Sequence, residues 1–348
     1  MNTPRAVSHI ADDSPATTRF TRRSALLAVS AAAGAAMLSA PVRSALAQDA
    51  TPVAAVTTDY PETIITAVEY AFGMPATIAG GWIELTMRNP GEMDHQAILL
   101  AIPEGSTYED ILTTTEATVA DFDTTNQADY RPLLQAGAFY GGPAAGPGGE
   151  GSVILYLDPG DYAVICPNPD DTGLPHYASG MIAQLTVTEP KADVSFESPI
   201  ADGQVTLVDF AFDGIPSEVP SGPLTWQVVN NGSQIHELQI LRLSEGVDAA
   251  TALAILSTPP GGSGMGDATP SSGLDMGTPM AGSMGDSTAM AGPPFTAVTG
   301  AGAMSPGATN WLMLDLEAGD YLALCFVPDI NSGMPHFAMG MAQPFTVS

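Results

Sequence analysis

Cationic side chains are scarce: Lys and Arg number nine among 348 residues, against 38 Asp and Glu. Five of the nine lie in the first 47 residues, together with two of the acids. The remainder therefore carries four cations against 36 anions, a net charge of −32. A field of that sign repels nucleic acid and anionic membrane surfaces and favours a basic protein as partner. Long apolar runs are missing beyond the N-terminal region. No later segment reaches the roughly 18 residues needed to cross a bilayer, so no membrane span is expected. Charged residues make up only 14% of the chain, while Gly (36) and Pro (30) are plentiful. That balance predicts short strands and many turns.

Cysteine is nearly absent, with two residues, and histidine numbers five. Two Cys in an exported chain invite a disulfide. Cys166 and Cys325, however, occupy matching places in two repeats, and a bridge needs Cα atoms within about 7 Å. Both thiols are expected to be free.

Residues 1–47 read as an export signal. Arg22 and Arg23 precede an apolar, small-residue run, and Ala45-Leu46-Ala47 fits a cleavage site. The paired arginines point to the twin-arginine route, with an ordinary secretory signal as the alternative. The mature protein is expected outside the cytoplasmic membrane, periplasmic or extracellular. Residues 48–60 form a flexible lead-in.

The remaining chain contains one pattern twice. GDYAVICPNPDDTGLPHYASGM at 160–181 matches GDYLALCFVPDINSGMPHFAMGM at 319–341. Upstream, Val68-Glu69-Tyr70-Ala71-Phe72 matches Val208-Asp209-Phe210-Ala211-Phe212, and N-x-G-x-x-x-H recurs at 89–95 and 230–236. The segments 83–87 and 224–228 alternate apolar and polar residues, the period of a strand with one buried face. Residues 107–112 and 247–256 read as short helices. Tyr162 and Tyr321 stand where a tyrosine corner pins a Greek-key sandwich. The expected architecture is all-β, two tandem Greek-key β-sandwiches, at 61–190 and 191–348. The second carries a Met/Gly/Ser/Pro-rich insert at 261–294.

After residue 47 the chain has four His and two Cys, and all six fall at matched offsets in the repeats. Each repeat adds a Met, with four residues between it and its last His. The candidate ligand sets are His95, Cys166, His176, Met181 and His236, Cys325, His336, Met341. Thiolate, imidazole and thioether are soft ligands that select copper, whereas zinc seldom recruits thioether. The alternative is a duplicated core in which Cys and Met merely pack. Met339 rivals Met341, but its counterpart is Ser179. The Met-rich tract reads as an acidic disordered insert, with Cu(I) ligation by its thioethers as the rival.

With these motifs in view, each repeat resembles a cupredoxin domain, the family of plastocyanin and azurin. The resemblance implies a Greek-key sandwich with copper at one end, up to two ions per chain, and one-electron transfer with a redox partner. Copper storage, delivery or resistance is the second reading, and a metal-free cupredoxin-like binding module the third. An enzyme is not expected, because no His remains for catalytic copper. One departure stands out: nine residues separate Cys166 from His176, and ten separate Cys325 from His336, where the family has about two to four. N-terminal sequencing of secreted protein should find Gln48 first. A chain starting before Ala28 would contradict the signal reading.

Overall fold

The computed structural model describes residues 60–123, 127–191, 197–257 and 293–348. The segment expected to be an export signal, most of the expected lead-in and nearly all of the Met-rich tract lie outside them. The described residues form the expected all-β sandwich architecture, arranged in three sheets.

One sheet has eight strands. From edge to edge they are Ala211–Asp213, Gly203–Val208, Gly222–Asn230, Thr309–Leu316, Glu150–Leu157, Gly81–Arg88, Glu62–Val68 and Ala71–Gly73. A five-stranded sheet runs Thr77–Ala79, Ile182–Thr188, Gly160–Ile165, Ile98–Ala101, Ala138–Phe139. A seven-stranded sheet runs Glu218–Val219, Ala342–Val347, Gly319–Leu324, His236–Leu243, Phe295–Met304, Pro143–Ala145, His95–Gln96. Alternation decides the layering. In the first repeat Ile65, Leu85 and Leu155 from one layer share a core with Leu99, Val164 and Leu185 from the other. In the second repeat Val205, Val228 and Leu314 meet Ile240, Ala323 and Phe345. Both tyrosine corners form: Tyr162 Oη donates to the Asp158 carbonyl and Tyr321 Oη to the Glu317 carbonyl, each at 2.8 Å.

The predicted helices appear as Tyr108–Thr118 and Ala249–Leu256. Thr107 and Asp110 form a capping box on the first, and the Asp248 carboxylate accepts from Thr251 N on the second. A further turn of helix, Arg131–Leu134, carries no periodic signal that would have revealed it.

Backbone pairing does not stop at the repeat boundary. Glu150–Leu157 and Thr309–Leu316 pair antiparallel, with Val153 opposite Leu312. Each of these residues stands seven before the glycine of its Gly-Asp-Tyr. The repeats thus meet at equivalent points, as across a local twofold axis. Trp82 packs edge-on against Trp311 with ring centroids 5.0 Å apart. A second junction joins Pro143–Ala145 to Phe295–Met304, with Ala144 opposite Gly300. There Asn310 Oδ1 accepts from Gly142 N at 3.2 Å, and its Nδ2 donates to the Tyr140 carbonyl at 2.8 Å. Gly141 allows that approach: its φ is +85°, and a Cβ would sit 2.2 Å from Asn310 Oδ1.

Residues 60–191 produced alone would expose Glu150–Leu157 as an unpaired edge, a template for pairing. The expected outcome is a dimer in sedimentation velocity. A monomer that melts where the full chain melts would show the shared sheets to be dispensable.

Candidate metal centres

Each centre begins with a buried asparagine. Asn89 Nδ2 donates to the carbonyls of Met93 (2.7 Å) and Ala145 (3.0 Å), while its Oδ1 accepts from Gly91 N at 3.0 Å. Asn230 repeats this with Gln234 (2.8 Å), Met304 (2.7 Å) and Gly232 N (2.9 Å). The side chain thus stands in for a backbone turn and fixes the residues leading to His95 and His236. Cys166 and Cys325 follow directly on the inner strands Gly160–Ile165 and Gly319–Leu324.

The long Cys–His loops close without displacing the histidine. Their extra residues fold out as small hairpins, bridged at Pro169 and Pro175 in one repeat and at Pro328 and Pro335 in the other. At the base His176 N donates to Asn168 O at 2.8 Å and Tyr177 N to Cys166 O at 3.0 Å. His336 N donates to Val327 O and Phe337 N to Cys325 O, both at 2.9 Å. Asp170 and Asp329 tie the hairpin tips through Thr172 and Ser332. Each His then opens a 3₁₀ turn, His176–Ser179 or His336–Met339, ended by Gly180 at φ +109° or Gly340 at φ +117°. These left-handed glycines return the chain, so that Met181 O accepts from Cys166 N at 3.1 Å and Met341 O from Cys325 N at 3.2 Å.

Two buried clusters result, His95–Cys166–His176 and His236–Cys325–His336. In the first, Cys166 Sγ lies 3.5 Å from His176 Nδ1 and 3.9 Å from His95 Nδ1, and the two Nδ1 atoms are 3.2 Å apart. In the second, Cys325 Sγ is 3.5 Å from His336 Nδ1, which is 3.0 Å from His236 Nδ1. Both cysteines are free, and Met181 and Met341 are fully buried. Backbone amides point at the sulfurs: Gln96 N to Cys166 Sγ and Glu237 N to Cys325 Sγ, each at 3.4 Å.

Burial, and then the neighbouring His176 imidazole, brings His95 down to about 4. Burial and His236 do the same to His336, also about 4. Burial lowers His176 and His236 as well. The imidazoles are thus neutral and able to donate lone pairs near neutral pH. Burial pushes the Cys166 thiol up to about 12 and Cys325 well above its ordinary value, so without a cation the sulfurs keep their protons. Neutral imidazoles facing one another beside a thiol, shut away from water, make a donor set that fits a soft cation.

Several residues around the clusters had no functional reading in the sequence. Tyr70 and Phe210, at φ 63° and 64°, pack T-shaped against His176 and His336 with centroids 5.3 and 5.1 Å away. Such φ values are costly for aromatic residues and persist where surroundings enforce them. Their recurrence in the matched segments at 68–72 and 208–212 was the available signal. The Asp209 carboxylate accepts from His236 Nε2 at 2.9 Å. Glu237, fully buried and pushed up to about 7 by burial, accepts from Phe326 N at 2.9 Å.

The structure brings His and Cys of each expected set together and buries both methionines close by on the same turn. Met339 is partly exposed, as is Met334. Met265, Met276, Met280, Met284 and Met290 lie outside the described residues. No helix among the described residues is long and apolar enough to cross a membrane.

No protein-family model and no curated protein matches the chain. Among solved structures, dithionite-reduced auracyanin from Roseiflexus castenholzii is 21% identical, covering 36% of this chain and 96% of its own, with a TM-score of 0.25. A multicopper oxidase is 15% identical, covering 82% of this chain and 88% of its own, with a TM-score of 0.22. A copper nitrite reductase from Nitrosomonas europaea is 11% identical, covering 82% and 93%, with a TM-score of 0.21. The last two are enzymes by name and lie along most of the chain, which corrects the expectation of a non-enzyme. A count of histidines fails as an exclusion because oxygen ligands also hold copper and a fold does not fix its function. The described residues form a β-sandwich protein with two buried His–Cys–His groups, each with a buried Met on the same turn, and these donors fit a soft metal ion such as copper.

Proposed function

We propose that the chain is an exported copper protein that holds up to two copper ions and exchanges single electrons with a partner protein. The ligands are His95, Cys166, His176 and Met181 in the unit at 61–190, and His236, Cys325, His336 and Met341 in the unit at 191–348. The observation that carries the reading is the recurrence of one buried donor set, with Nδ1 atoms 3.2 and 3.0 Å apart, in two repeats of one chain. Copper bound there supplies a one-electron change between Cu(I) and Cu(II). The protein residues supply the rest. The amides of Gln96 and Glu237 stabilise negative charge on sulfur, and Tyr70 and Phe210 hold the ring planes of His176 and His336. Burial excludes water and the reorganisation water brings. The net negative charge favours a basic partner.

A second reading, copper storage or delivery, draws support from Met334 and Met339. These are 48% and 36% exposed and flank His336 with soft thioethers. A carrier should cycle reversibly between coloured and colourless states, whereas a store need not.

Purified mature protein given Cu(II) should bind up to two ions and show intense visible thiolate-to-copper absorption. Cys325→Ser should remove the second centre's share of the colour and Cys166→Ser the first's. Protein with confirmed free thiols that binds no copper would end this reading.

Binding should also depend on pH with a definite sign. His95 is neutral above about 4 and Cys166 keeps its proton to about 12, so metal must displace one thiol proton throughout that window. The first centre's apparent affinity should therefore rise about tenfold per pH unit between roughly pH 5 and 9, as competition titrations would show. It should fall more steeply below pH 4, as His95 protonates. A flat profile would mean that the thiolate is not a ligand.

A further inference from the structure

The two centres are built alike but are not held alike. His236 Nε2 is fully enclosed and lies 2.9 Å from Asp209 Oδ1. The same carboxylate accepts from Ser233 N at 2.8 Å and from the Ser233 hydroxyl, so it is anchored to the turn that precedes the histidine. In the first repeat the matching residue is Glu69. One methylene longer, it accepts from Glu92 N, the counterpart of Ser233 N, but makes no hydrogen bond to His95. His95 Nε2 is left buried with no hydrogen-bond partner among the described residues.

We propose that Asp209 is a positioning residue that makes the second ligand set the tighter copper site. The inference rests on the copper reading above. A carboxylate can only accept from neutral imidazole, so Asp209 holds the proton on His236 Nε2 and leaves the Nδ1 lone pair directed at His336 and Cys325. His95 has no such constraint, and part of its population carries the proton on Nδ1, where it blocks ligation. That fraction must be driven out before metal binds. A carboxylate behind a ligating histidine also raises its basicity, and loss of such a partner typically costs about 10- to 100-fold in metal affinity.

The test isolates each centre in the full chain. Cys325→Ser leaves the first centre intact and Cys166→Ser the second, and Cu(II) affinities are measured by competition with a chelator. The second centre should bind about 10- to 100-fold more tightly. Asp209→Ala, added to Cys166→Ser, should remove that advantage, whereas Asp209→Asn, whose amide oxygen still accepts, should restore much of it. Nitrogen-15 NMR of the metal-free wild-type protein should show His236 wholly as the Nε2–H tautomer and His95 as a mixture. A change of less than threefold on Asp209→Ala, or a His236 proton on Nδ1, would overturn the inference. If no form binds copper, the copper reading fails, and the tautomers alone decide whether Asp209 positions His236.

Discussion

The structure turns on one electrostatic awkwardness: two imidazoles and a thiol are removed from water and pressed together. Facing nitrogens 3.0 to 3.2 Å apart, beside a sulfur 3.5 Å away, form a poor self-contained hydrogen-bond network. Buried polar atoms without good partners are costly, and folded proteins retain few of them. Much of each repeat works to hold this arrangement in place. The buried asparagine fixes one histidine, the inner strand fixes the cysteine, and the hairpin with its left-handed glycine fixes the other histidine and the methionine. A soft cation would satisfy the lone pairs at once, so the free energy stored in assembling the ligands becomes available for binding.

Much of this was legible beforehand because duplication exposes chemistry. Residues such as His95 and His236 differ in their neighbours, so their matched offsets had to come from a shared requirement. Strand alternation and Gly-Asp-Tyr fixed the sandwich and the tyrosine corners. The helix over Tyr108–Thr118 was expected only over 107–112 and runs longer, since Thr115 and Thr118 bury through side-chain hydrogen bonds rather than hydrophobic surface. The long Cys–His loops cast doubt on the site geometry, because loop length alone does not show that the excess forms a closed hairpin.

Other features could not be read from the linear pattern. Nothing in the alternation of Val208-Asp209-Phe210 distinguishes a solvent-facing aspartate from one turned beneath a histidine ring. That outcome depends on the reach of one methylene, and Glu69 occupies the same slot with a different result. The expectation of a non-enzyme failed for a different reason. It treated the supply of one ligand type as a limit on chemistry, although catalysis depends on assembled sites and not on residue totals.

The pairing of Val153 with Leu312 has a consequence for how the halves stay together. An edge that meets its own counterpart is self-complementary, the geometry of an isologous dimer. As separate chains, two such halves would associate only as far as their concentration allowed. The peptide connection through residues 191–203 makes the encounter intramolecular, with an effective concentration on the order of millimolar for a short linker. An interface that dilution would otherwise dissolve is thus kept closed at any protein concentration.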